Sequence, residues 1–515
     1  MATIPEFFQA KNIFVTGGTG FIGKVLLEKI LRSCPDVGNI YILLRSKRGK
    51  DLKERLTDLT NLPLFDVLRQ KYPESFKKIV PVSGDCMELG LGLSPSDRQM
   101  LEENVSIVFH SAASVRFDFT LKYATLINAR GTREVMLIAR KMKHLKVLVH
   151  ISTVYCICDR KVVEEVIYPP HADWRDIINI VENTDEHILD VLTPKKSWTF
   201  LMIPRILGNL PNTYVFTKSL AEHVVKDLGE NLPIVIIRPS IVISTLNDPF
   251  PGWIENFNGP VGLLIASGKG IVRVALGSPD TVVDYMTVDF AVKIICIAAW
   301  EKARSSNLNP AVYNASSGKL KQITLKLLLD IGLEVTAENP LGNMLWKPSV
   351  YITDNRIIYF WTMILLHLIP AILVDSLLKF AGKKPLLLRI QKRIFLASMA
   401  LFHFASNSWY LKNDMMLWLI DQVLPADKEF QMKEIHNVDV KEYFTSATKG
   451  ALVYLLKEPE DRTQARRIYT RFWWLDAILR VVIIISLLWI VYHSEVQQHA
   501  LASICTFVKN IIHGD

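Results

Sequence analysis

The chain has 515 residues, half of them hydrophobic, and carries a formal net charge of +9. This length allows a large buried core and a second unit. The positive charge suits membrane surfaces and anionic metabolites. It would also suit nucleic acid, but the sequence has no compact basic block with interleaved aromatic residues, so we expect no nucleic-acid partner.

The cysteines and the N-terminus indicate a cytosol-facing protein. Six cysteines are scattered along the chain, and Cys156 and Cys158 stand one residue apart with no second pair. This spacing does not fit a metal site, so we expect reduced thiols and no bound metal. The first twelve residues have neither the basic nor the apolar segment of a secretory signal.

A glycine-rich turn stands near the N-terminus. Residues 13–31 have the pattern of a buried strand, a turn and an amphipathic helix. The turn fits two frames, G-x-x-G-x-x-G from Gly17 and G-x-G-x-x-G from Gly18, which share Gly20 and Gly23. Either frame gives a tight turn, a close backbone approach to a pyrophosphate and free N–H groups at the helix start. The turn therefore predicts a dinucleotide site.

The end of the next predicted strand indicates which dinucleotide binds. It ends in Arg45, with Lys47, Arg48 and Lys50 following and no acidic residue from Leu43 to Lys50. An NAD site would place an acid here for the ribose 2′-hydroxyl, whereas an NADP site places an arginine for the 2′-phosphate. We therefore predict NADPH, with Arg45 on the 2′-phosphate and Lys47 or Arg48 assisting.

Two further predicted strands end in small or polar residues. Asp85 follows the first of them and is predicted to lie beside the adenine. Ala112 and Ala113 follow the second, where small side chains let the backbone approach the cofactor. The alternation of strands and helices over the first 150 or so residues predicts a doubly wound parallel sheet.

A tyrosine and a lysine mark the candidate chemistry. Tyr214 and Lys218 stand four residues apart at the start of a predicted helix, so both lie on one face. A nearby ammonium lowers the pKa of a phenol, which can then donate a proton to a forming alkoxide; the lysine can also hold the nicotinamide ribose. Ser152 and Thr153 end another predicted strand, and one of the two hydroxyls is expected to bind the substrate carbonyl. Tyr155 is interpreted as a pocket wall.

The order of the motifs resembles an extended short-chain dehydrogenase/reductase, in the strings VTGGTGFIG, HSAASVRF, NARGT, HISTVY, YVFTK and IIRPSIV. Residues 248–270, DPFPGWIENFNGPVGLLIASGKG, are more specific and resemble the alcohol-forming fatty acyl-CoA reductases. Residues 367–385 and the string FTSAT near residue 444 resemble the smaller C-terminal domain of that family. The resemblance spans roughly residues 10–460.

The resemblance implies a reaction and a set of site residues. A long-chain acyl-CoA receives one hydride and expels CoA, and the aldehyde receives a second hydride and leaves as a primary alcohol. Two NADPH molecules are needed, so the cofactor exchanges while the aldehyde is retained. Tyr214 and Lys218 carry the proton transfer, and Ser152 or Thr153 polarises the carbonyl. The predicted cofactor-binding residues are Gly17, Gly18, Thr19, Gly20, Phe21, Ile22, Gly23, Arg45, Asp85, Ala112, Ala113 and Lys218.

The predicted organisation is an α/β, Rossmann-type reductase domain over residues 10–345, a helical C-terminal domain over 346–460 and a membrane helix over 472–494. One departure from the family is an apolar insert of about ten residues at 196–205. The sequence leaves several interpretations of this insert open. In one it lines the acyl entrance, and in another it touches the membrane. In the others it is a surface elaboration, or a splicing or gene-model artefact that disturbs the site.

Two earlier segments are also apolar. Residues 357–374 are 18 uncharged residues, which is borderline for a span of about 20 residues. We favour a buried or interfacial helix pair bent near Pro370. Residues 386–406 alternate apolar and basic faces, as in a membrane-surface helix or an ordinary amphipathic core helix.

The segment 472–494 predicts a membrane span, with a deep monotopic helix as the rival. Asp476 and Arg480 are spaced to pair, and tryptophans stand towards both ends. Five basic residues precede it and one follows closely, which places the catalytic part in the cytosol. The family resides in peroxisomal or endoplasmic reticulum membranes, and the C-terminal HGD is not a peroxisomal tripeptide.

Two alternative functions share part of this pattern. A membrane-bound hydroxysteroid dehydrogenase or epimerase would have the same glycines, tyrosine and lysine, but leaves residues 248–270 unexplained. The second alternative is a catalytically silent NADPH-binding membrane protein that the insert has disabled. Acyl chain length, organelle and oligomeric state are not readable from the sequence.

Overall fold

The computed structural model describes residues 2–46, 49–192, 206–318, 322–432, 438–459 and 461–493, with 502–504 and 506. The insert predicted at 196–205, and the basic residues Lys47 and Arg48, lie outside the described residues.

A seven-stranded parallel sheet forms the centre of the described chain. Its order is β12-β7-β5-β4-β1-β2-β3, and all six neighbouring pairs are parallel. The strands are β1 (Asn12–Thr16), β2 (Ile40–Leu44), β3 (Ile79–Ser83), β4 (Val105–His110), β5 (Val147–Ile151), β6 (Val162–Val163), β7 (Ile234–Pro239), β8 (Ile241–Ile243), β9 (Val274–Leu276), β10 (Val282–Val283), β11 (Tyr285–Thr287), β12 (Ala311–Ala315), β13 (Ile323–Thr324), β14 (Tyr351–Thr353) and β15 (Tyr410–Leu411). The predicted doubly wound sheet is confirmed.

Helices flank the sheet and build the C-terminal part. They are α1 (Ile4–Phe8), α2 (Phe21–Ser33), α3 (Leu52–Thr60), α4 (Asp66–Lys71), α5 (Pro95–Asn104), α6 (Leu121–Thr125), α7 (Gly131–Ala139), α8 (Trp174–Asn183), α9 (Glu186–Leu192), α10 (Thr213–Leu228), α11 (Pro260–Gly268), α12 (Val288–Arg304), α13 (Leu325–Glu338), α14 (Arg356–Met363), α15 (Ile369–Phe380), α16 (Leu387–Ala405), α17 (Asp414–Asp421), α18 (Val440–Gly450) and α19 (Thr463–His493).

The sequence explains why the central strands are buried on both faces. β5 reads VLVHI and β7 reads IVIIRP, and every residue of both strands is buried. Near-continuous β-branched runs of this kind are typical of parallel strands covered by helices on both sides. β1 lies between β4 and β2, so the strand order reverses there. Such a reversal opens a crevice at the carboxyl ends of the strands, where ligands bind in this class of sheet.

The C-terminal part packs closely on the sheet domain. β14 pairs with β9, and β15 pairs with β6, so strands from both parts hydrogen-bond. Gly252 and Gly450 meet backbone to backbone, because a Cβ on Gly450 would lie 1.7 Å from the Gly252 carbonyl oxygen. The segment 248–270 is therefore pressed against α18.

Two described helical stretches are long and apolar enough to cross a membrane, by length and composition: Arg356–Phe380 and Thr463–Ile490. The first is mostly exposed, so of the two predicted forms of the helix pair, buried or interfacial, the exposure disfavours the buried one. In this stretch a π-helical turn, Ile364–Leu368, comes directly before α15, whose first turn contains Pro370. The predicted pairing of Asp476 with Arg480 is confirmed, at 2.8 Å between Oδ2 and Nε.

Candidate active site

The glycine turn between β1 and α2 is closed by direct backbone contacts. Gly17 has a φ of +76°, and a Cβ there would lie 2.6 Å from the Ala112 nitrogen. A Cβ on Gly23 would lie 2.2 Å from the Gly17 carbonyl oxygen. Both positions need glycine, since a side chain would collide with rigid backbone. Of the two frames open in the sequence, this geometry fits the one that begins at Gly17.

The start of α2 can bind an anion. Gly20 is its N-cap, and within the described residues no side chain caps the first turn. The first turn holds no acidic residue. A helix start with free N–H groups and no competing carboxylate favours phosphate, so the turn fits a dinucleotide.

Arg45 lies at the carboxyl end of β2, beside the glycine turn. Its guanidinium is exposed, with Nη1 3.8 Å from Oδ2 of Asp85, which follows β3. The two predicted adenosine-side residues are therefore neighbours across the β2–β3 edge. An exposed guanidinium at this point can reach a 2′-phosphate without breaking a tight ion pair.

The predicted alanines lie in the loop that follows β4. Ala112 donates its backbone N–H to the Thr16 hydroxyl at 3.3 Å, which holds the loop against β1. Asn128, in a π-helical turn at Leu126–Arg130, accepts the Ser114 N–H at 2.9 Å and donates to the Thr217 hydroxyl at 2.9 Å. Asn128 thus ties the loop after β4 to α10. Its role was not readable from the sequence, because its partners are distant along the chain.

α10 carries the predicted tyrosine and lysine. The Asn212 side chain caps the helix by accepting the Val215 N–H at 2.9 Å. Lys218 is buried, and its Nζ donates to the Ile151 carbonyl oxygen at 2.7 Å. Ile151 is the last residue of β5. Lys218 therefore joins α10 to the strand end that supplies the candidate hydroxyls.

Burial governs the protonation of both side chains. It lowers the pKa of Lys218 to about 8, against the opposing charges of Cys156 and Glu222. Burial also raises the pKa of Tyr214 above its ordinary value, and a hydrogen bond with Thr153 only partly offsets this. The sequence predicts that Lys218 lowers the pKa of Tyr214; the structure has it raised, because desolvation of the phenol dominates. Tyr214 is accordingly a protonated phenol, suited to donate a proton.

The two candidate hydroxyls point to different partners. The Ser152 hydroxyl donates to Oε1 of Glu222 at 2.5 Å, inside the protein. The Thr153 hydroxyl accepts the Tyr155 N–H at 3.3 Å and donates to the Pro239 carbonyl oxygen at 3.5 Å. Its interaction with the Tyr214 phenol lowers the pKa of that phenol. Of the two hydroxyls, Thr153 is therefore the one that interacts with the candidate phenol, and Ser152 belongs to a buried network.

That network centres on an ion pair which sequence reasoning missed. Arg238 is fully buried and binds both carboxylate oxygens of Glu222, at 2.9 Å from Nε and 2.7 Å from Nη2. Its Nη atoms also donate to the carbonyl oxygens of Glu164 and Val166, at 3.1 and 2.8 Å. The pair links β7, α10 and the loop after β6, and so fixes the helix that carries Tyr214. The arginine stands in the quoted string IIRPSIV, but a single sequence does not reveal its partner.

An aromatic wall covers the other side of Tyr214. Phe117 lies 5.6 Å from the Tyr214 ring and 5.4 Å from Phe404, measured between ring centroids. Phe404 lies 5.4 Å from Tyr155, which lies 5.8 Å from Trp409. Tyr155 thus belongs to an aromatic cluster beside Tyr214, and its interpretation as a pocket wall stays a prediction. Phe404 lies in the last turn of α16, so the C-terminal part contributes to this cluster, and no motif indicated this.

The chain matches known families over most of its length. Residues 15–295 match an NAD-binding family described as "Male sterility protein", and residues 366–458 match a second family with the same description. Fatty acyl-CoA reductase 1 of Xenopus laevis is 38% identical over 91% of this chain and 89% of its own length. The human protein of that name is 37% identical over the same shares, and fatty acyl-CoA reductase wat of Drosophila melanogaster is 36% identical over 90% and 88%.

Solved structures share the fold at low identity. The reductase domain of a nonribosomal peptide synthetase from Mycobacterium tuberculosis superposes with a TM-score of 0.59 and 17% identity, covering 88% of this chain and 93% of that one. The terminal R domain from the myxalamid biosynthetic pathway gives 0.55 and 18%, covering 86% and 91%. These likenesses show a common fold.

Proposed function

Because the chain belongs to the fatty acyl-CoA reductase family, we propose that it reduces long-chain fatty acyl-CoA to a primary alcohol and free CoA with NADPH. The observation that carries the proposal is the 2.7 Å bond from Lys218 Nζ to the Ile151 carbonyl oxygen, which holds the helix of Tyr214 against the carboxyl end of β5. Thr153 follows there and interacts with the phenol. That strand end lies on the same edge of the parallel sheet as the glycine turn.

The chain's own residues account for the two halves of the reaction. Residues 17–23, Arg45 and Lys218 would hold NADPH, which would supply one hydride to each half when bound. Thr153 and Tyr214 bind the carbonyl oxygen of the thioester and stabilise the negative charge that develops on it. Collapse of that oxyanion breaks the carbon–sulfur bond and releases CoA. In the second half, Tyr214 donates its proton to the alkoxide formed from the aldehyde, which completes the alcohol.

Lys218 supports Tyr214 in this scheme. With a pKa near 8 its ammonium is mostly protonated at neutral pH. Its bond to the Ile151 carbonyl holds α10 in position, and its positive charge stabilises the phenolate left after proton donation. The anionic CoA is attracted by the net positive charge of the chain.

Product analysis tests the proposal. Membranes from cells that express the chain are incubated with stearoyl-CoA and NADPH, and the products are separated by gas chromatography. We expect octadecanol and free CoA, with two NADPH consumed per alcohol. NADH-dependent turnover of a sterol would favour the hydroxysteroid alternative, and cofactor binding without turnover would favour the silent one.

Substitutions can test the roles of the Ser152 and Thr153 hydroxyls separately. We expect Thr153→Ala to lower kcat by about 10²–10³, the usual cost of removing one donor from a developing oxyanion. Ser152→Ala removes a bond to Glu222, so it should lower the unfolding midpoint and affect kcat much less. Steady-state kinetics and urea unfolding of both variants measure this. Equal losses of kcat would contradict the assignment of Thr153.

Arg45 provides a test of the cofactor. Arg45→Ala should weaken NADPH binding by roughly tenfold or more, the worth of one hydrogen bond to a charged group, and leave NADH binding nearly unchanged. Fluorescence titration with both cofactors measures the two dissociation constants. Lys50→Ala is the matched control, because Lys50 already pairs with Asp58. Equal weakening of NADPH and NADH would place the 2′-phosphate elsewhere.

We also propose that α19 anchors the protein in a membrane with the catalytic part in the cytosol, at the endoplasmic reticulum or the peroxisome. The exposed apolar residues of α19 support the anchor, and the five basic residues before residue 472 support the orientation. A long-chain alcohol partitions into such a membrane, and NADPH and acyl-CoA are available on its cytosolic side.

A further inference from the structure

Helices α14, α15 and α16 form an antiparallel hairpin, residues 356–405, called here the apolar hairpin. Near its open end, the Arg356 guanidinium lies 4.7 Å from the ring centroid of Phe402. The rings of Tyr359 and Phe395 stack at 6.5 Å. The two legs are therefore packed together from their open end.

The tip of the hairpin is also fixed. The Asp375 carboxylate accepts three backbone N–H groups, from Leu386, Leu387 and Leu388, each at 2.9 Å. These are the first N–H groups of α16, which otherwise has no capping side chain among the described residues. The Asp375 side chain thus fixes the turn between Phe380, the last residue of α15, and the start of α16.

One face of the apolar hairpin lies along the body of the protein. Tyr359 packs with Val274 and Leu276 of β9 in one hydrophobic cluster. His367 Nε2 accepts the Arg273 N–H at 2.8 Å, and Gln391 donates to the Ile271 carbonyl oxygen at 3.0 Å. The segment 271–276 therefore runs beneath the hairpin. Although Arg356–Phe380 is long enough for a span, it could not cross a bilayer without carrying β9 into the hydrocarbon.

The opposite face is an apolar stripe that none of the described residues covers. Exposed large apolar residues recur every fourth position, at Ile357, Trp361, Leu365, Ile369, Leu373 and Leu377. Phe380 at the tip is 94% exposed. A contiguous stripe of this kind on a soluble surface marks an interaction site.

The charges around the stripe identify the partner. Exposed basic residues stand at the tip and along α16: Lys379, Lys383, Lys384, Arg389, Lys392 and Arg393. The only acidic residue of the hairpin is Asp375, which is buried and caps α16. An apolar face bordered by lysine and arginine is the pattern of a helix that lies in the surface of an anionic bilayer.

The hairpin also lies beside the other apolar helix. The Arg273 guanidinium stands 5.6 Å from the ring centroid of Trp346, and Trp346 donates its indole N–H to Asp476 of α19 at 2.9 Å. Arg273 itself binds the hairpin through its backbone N–H. One bilayer can therefore contact both elements on the same side of the molecule.

We propose that the apolar hairpin is a second membrane element, which lies in the interface of a bilayer that contains anionic lipid, with Phe380 at the boundary between headgroups and acyl chains. α16 runs from this surface to Phe404 in the aromatic wall beside Tyr214. The hairpin thus connects the lipid surface with the catalytic pocket. The docking itself does not depend on the proposed reaction.

A fluorescent probe on the tip tests the proposal in the full chain. Phe380→Cys is labelled with an NBD fluorophore and reconstituted in phosphatidylcholine vesicles with or without phosphatidylserine. The five described cysteines are buried, and Cys505, outside the described residues, is replaced by serine in all variants. Leu89→Cys is the matched control, since Leu89 is a 65% exposed leucine that follows β3 at the far edge of the sheet.

We expect nitroxide lipids labelled near the headgroup to quench roughly half or more of the emission at position 380, and lipids labelled deep in the chain to quench less. Position 89 should stay unquenched. Phosphatidylserine should increase the quenching at 380, and Lys383→Glu with Lys384→Glu should remove that increase.

Three outcomes would overturn the proposal. Emission at 380 as unquenched as at 89 would leave the tip in water. Stronger quenching by the deep nitroxide would indicate a spanning helix. A blue shift without quenching would indicate that protein, such as a second copy of the chain, covers the stripe.

Discussion

The Tyr214→Phe variant is expected to lose alcohol formation by about 10²–10⁴-fold in kcat, the usual contribution of a positioned general acid. The ring stays in place against Phe117, 5.6 Å away, so only the hydroxyl is lost. NADPH should bind with unchanged affinity, because the glycine turn and Arg45 are untouched. Alcohol release by gas chromatography and NADPH binding by fluorescence titration measure the two effects separately.

Tyr155→Phe is the matched control for this prediction. Tyr155 also lies beside the pocket, 5.4 Å from Phe404 between ring centroids, and the substitution removes the same single oxygen. We expect a much smaller loss of kcat, because Tyr155 serves as a wall. Near-normal turnover of Tyr214→Phe would show that another group donates the proton. Equal losses in the two variants would point to a general disturbance of the pocket.

Features set by local backbone geometry could be predicted from the sequence. The glycine turn depends on a contiguous string, since the positive φ of Gly17 and the close contact of Gly23 are both made within the β1–α2 unit and the neighbouring loop. Tyr214 and Lys218 share a face because a helix places positions four apart together. The alternating strands and helices predicted the sheet for the same reason.

Features set by distant contacts could not be predicted. Ser152 and Thr153 are adjacent in the sequence, but their partners differ. Ser152 hydrogen-bonds with the carboxylate of Glu222, which lies 70 residues away along the chain. Phe404 reaches the pocket from a helix of the C-terminal part. The direction of the Tyr214 pKa shift depends on how deeply the phenol is buried, because burial raises this pKa more than the interaction with Thr153 lowers it.

The apolar helices show a second kind of limit. Composition and length are the same for a core helix, an interfacial helix and a membrane span. The stretch 357–374 was therefore ambiguous until its neighbours were known. The stretch packs on β9 along one face and is exposed on the other, which supports the interfacial form that we propose.

The largest expected effect on stability comes from Arg238. Replacing it with methionine leaves the Glu222 carboxylate buried without its partner, and breaking a buried ion pair from one side costs about 3–5 kcal/mol. We expect the free energy of unfolding to fall by that amount, from urea titrations of the detergent-solubilised full chain. The loss should also lower kcat, because the pair fixes α10 and hence Tyr214.

Removing both charges at once should recover much of this loss. In Arg238→Met with Glu222→Leu, no unpaired charge remains, and replacing a buried pair by apolar residues is often close to neutral. Recovery should stay incomplete, since the carbonyl oxygens of Glu164 and Val166 lose their donors in both variants. A double variant as unstable as Arg238→Met alone would show that the cost lies in those carbonyl contacts and in packing. The unpaired carboxylate would then not be the cause, and the ion pair would not be the element that holds the catalytic helix in place.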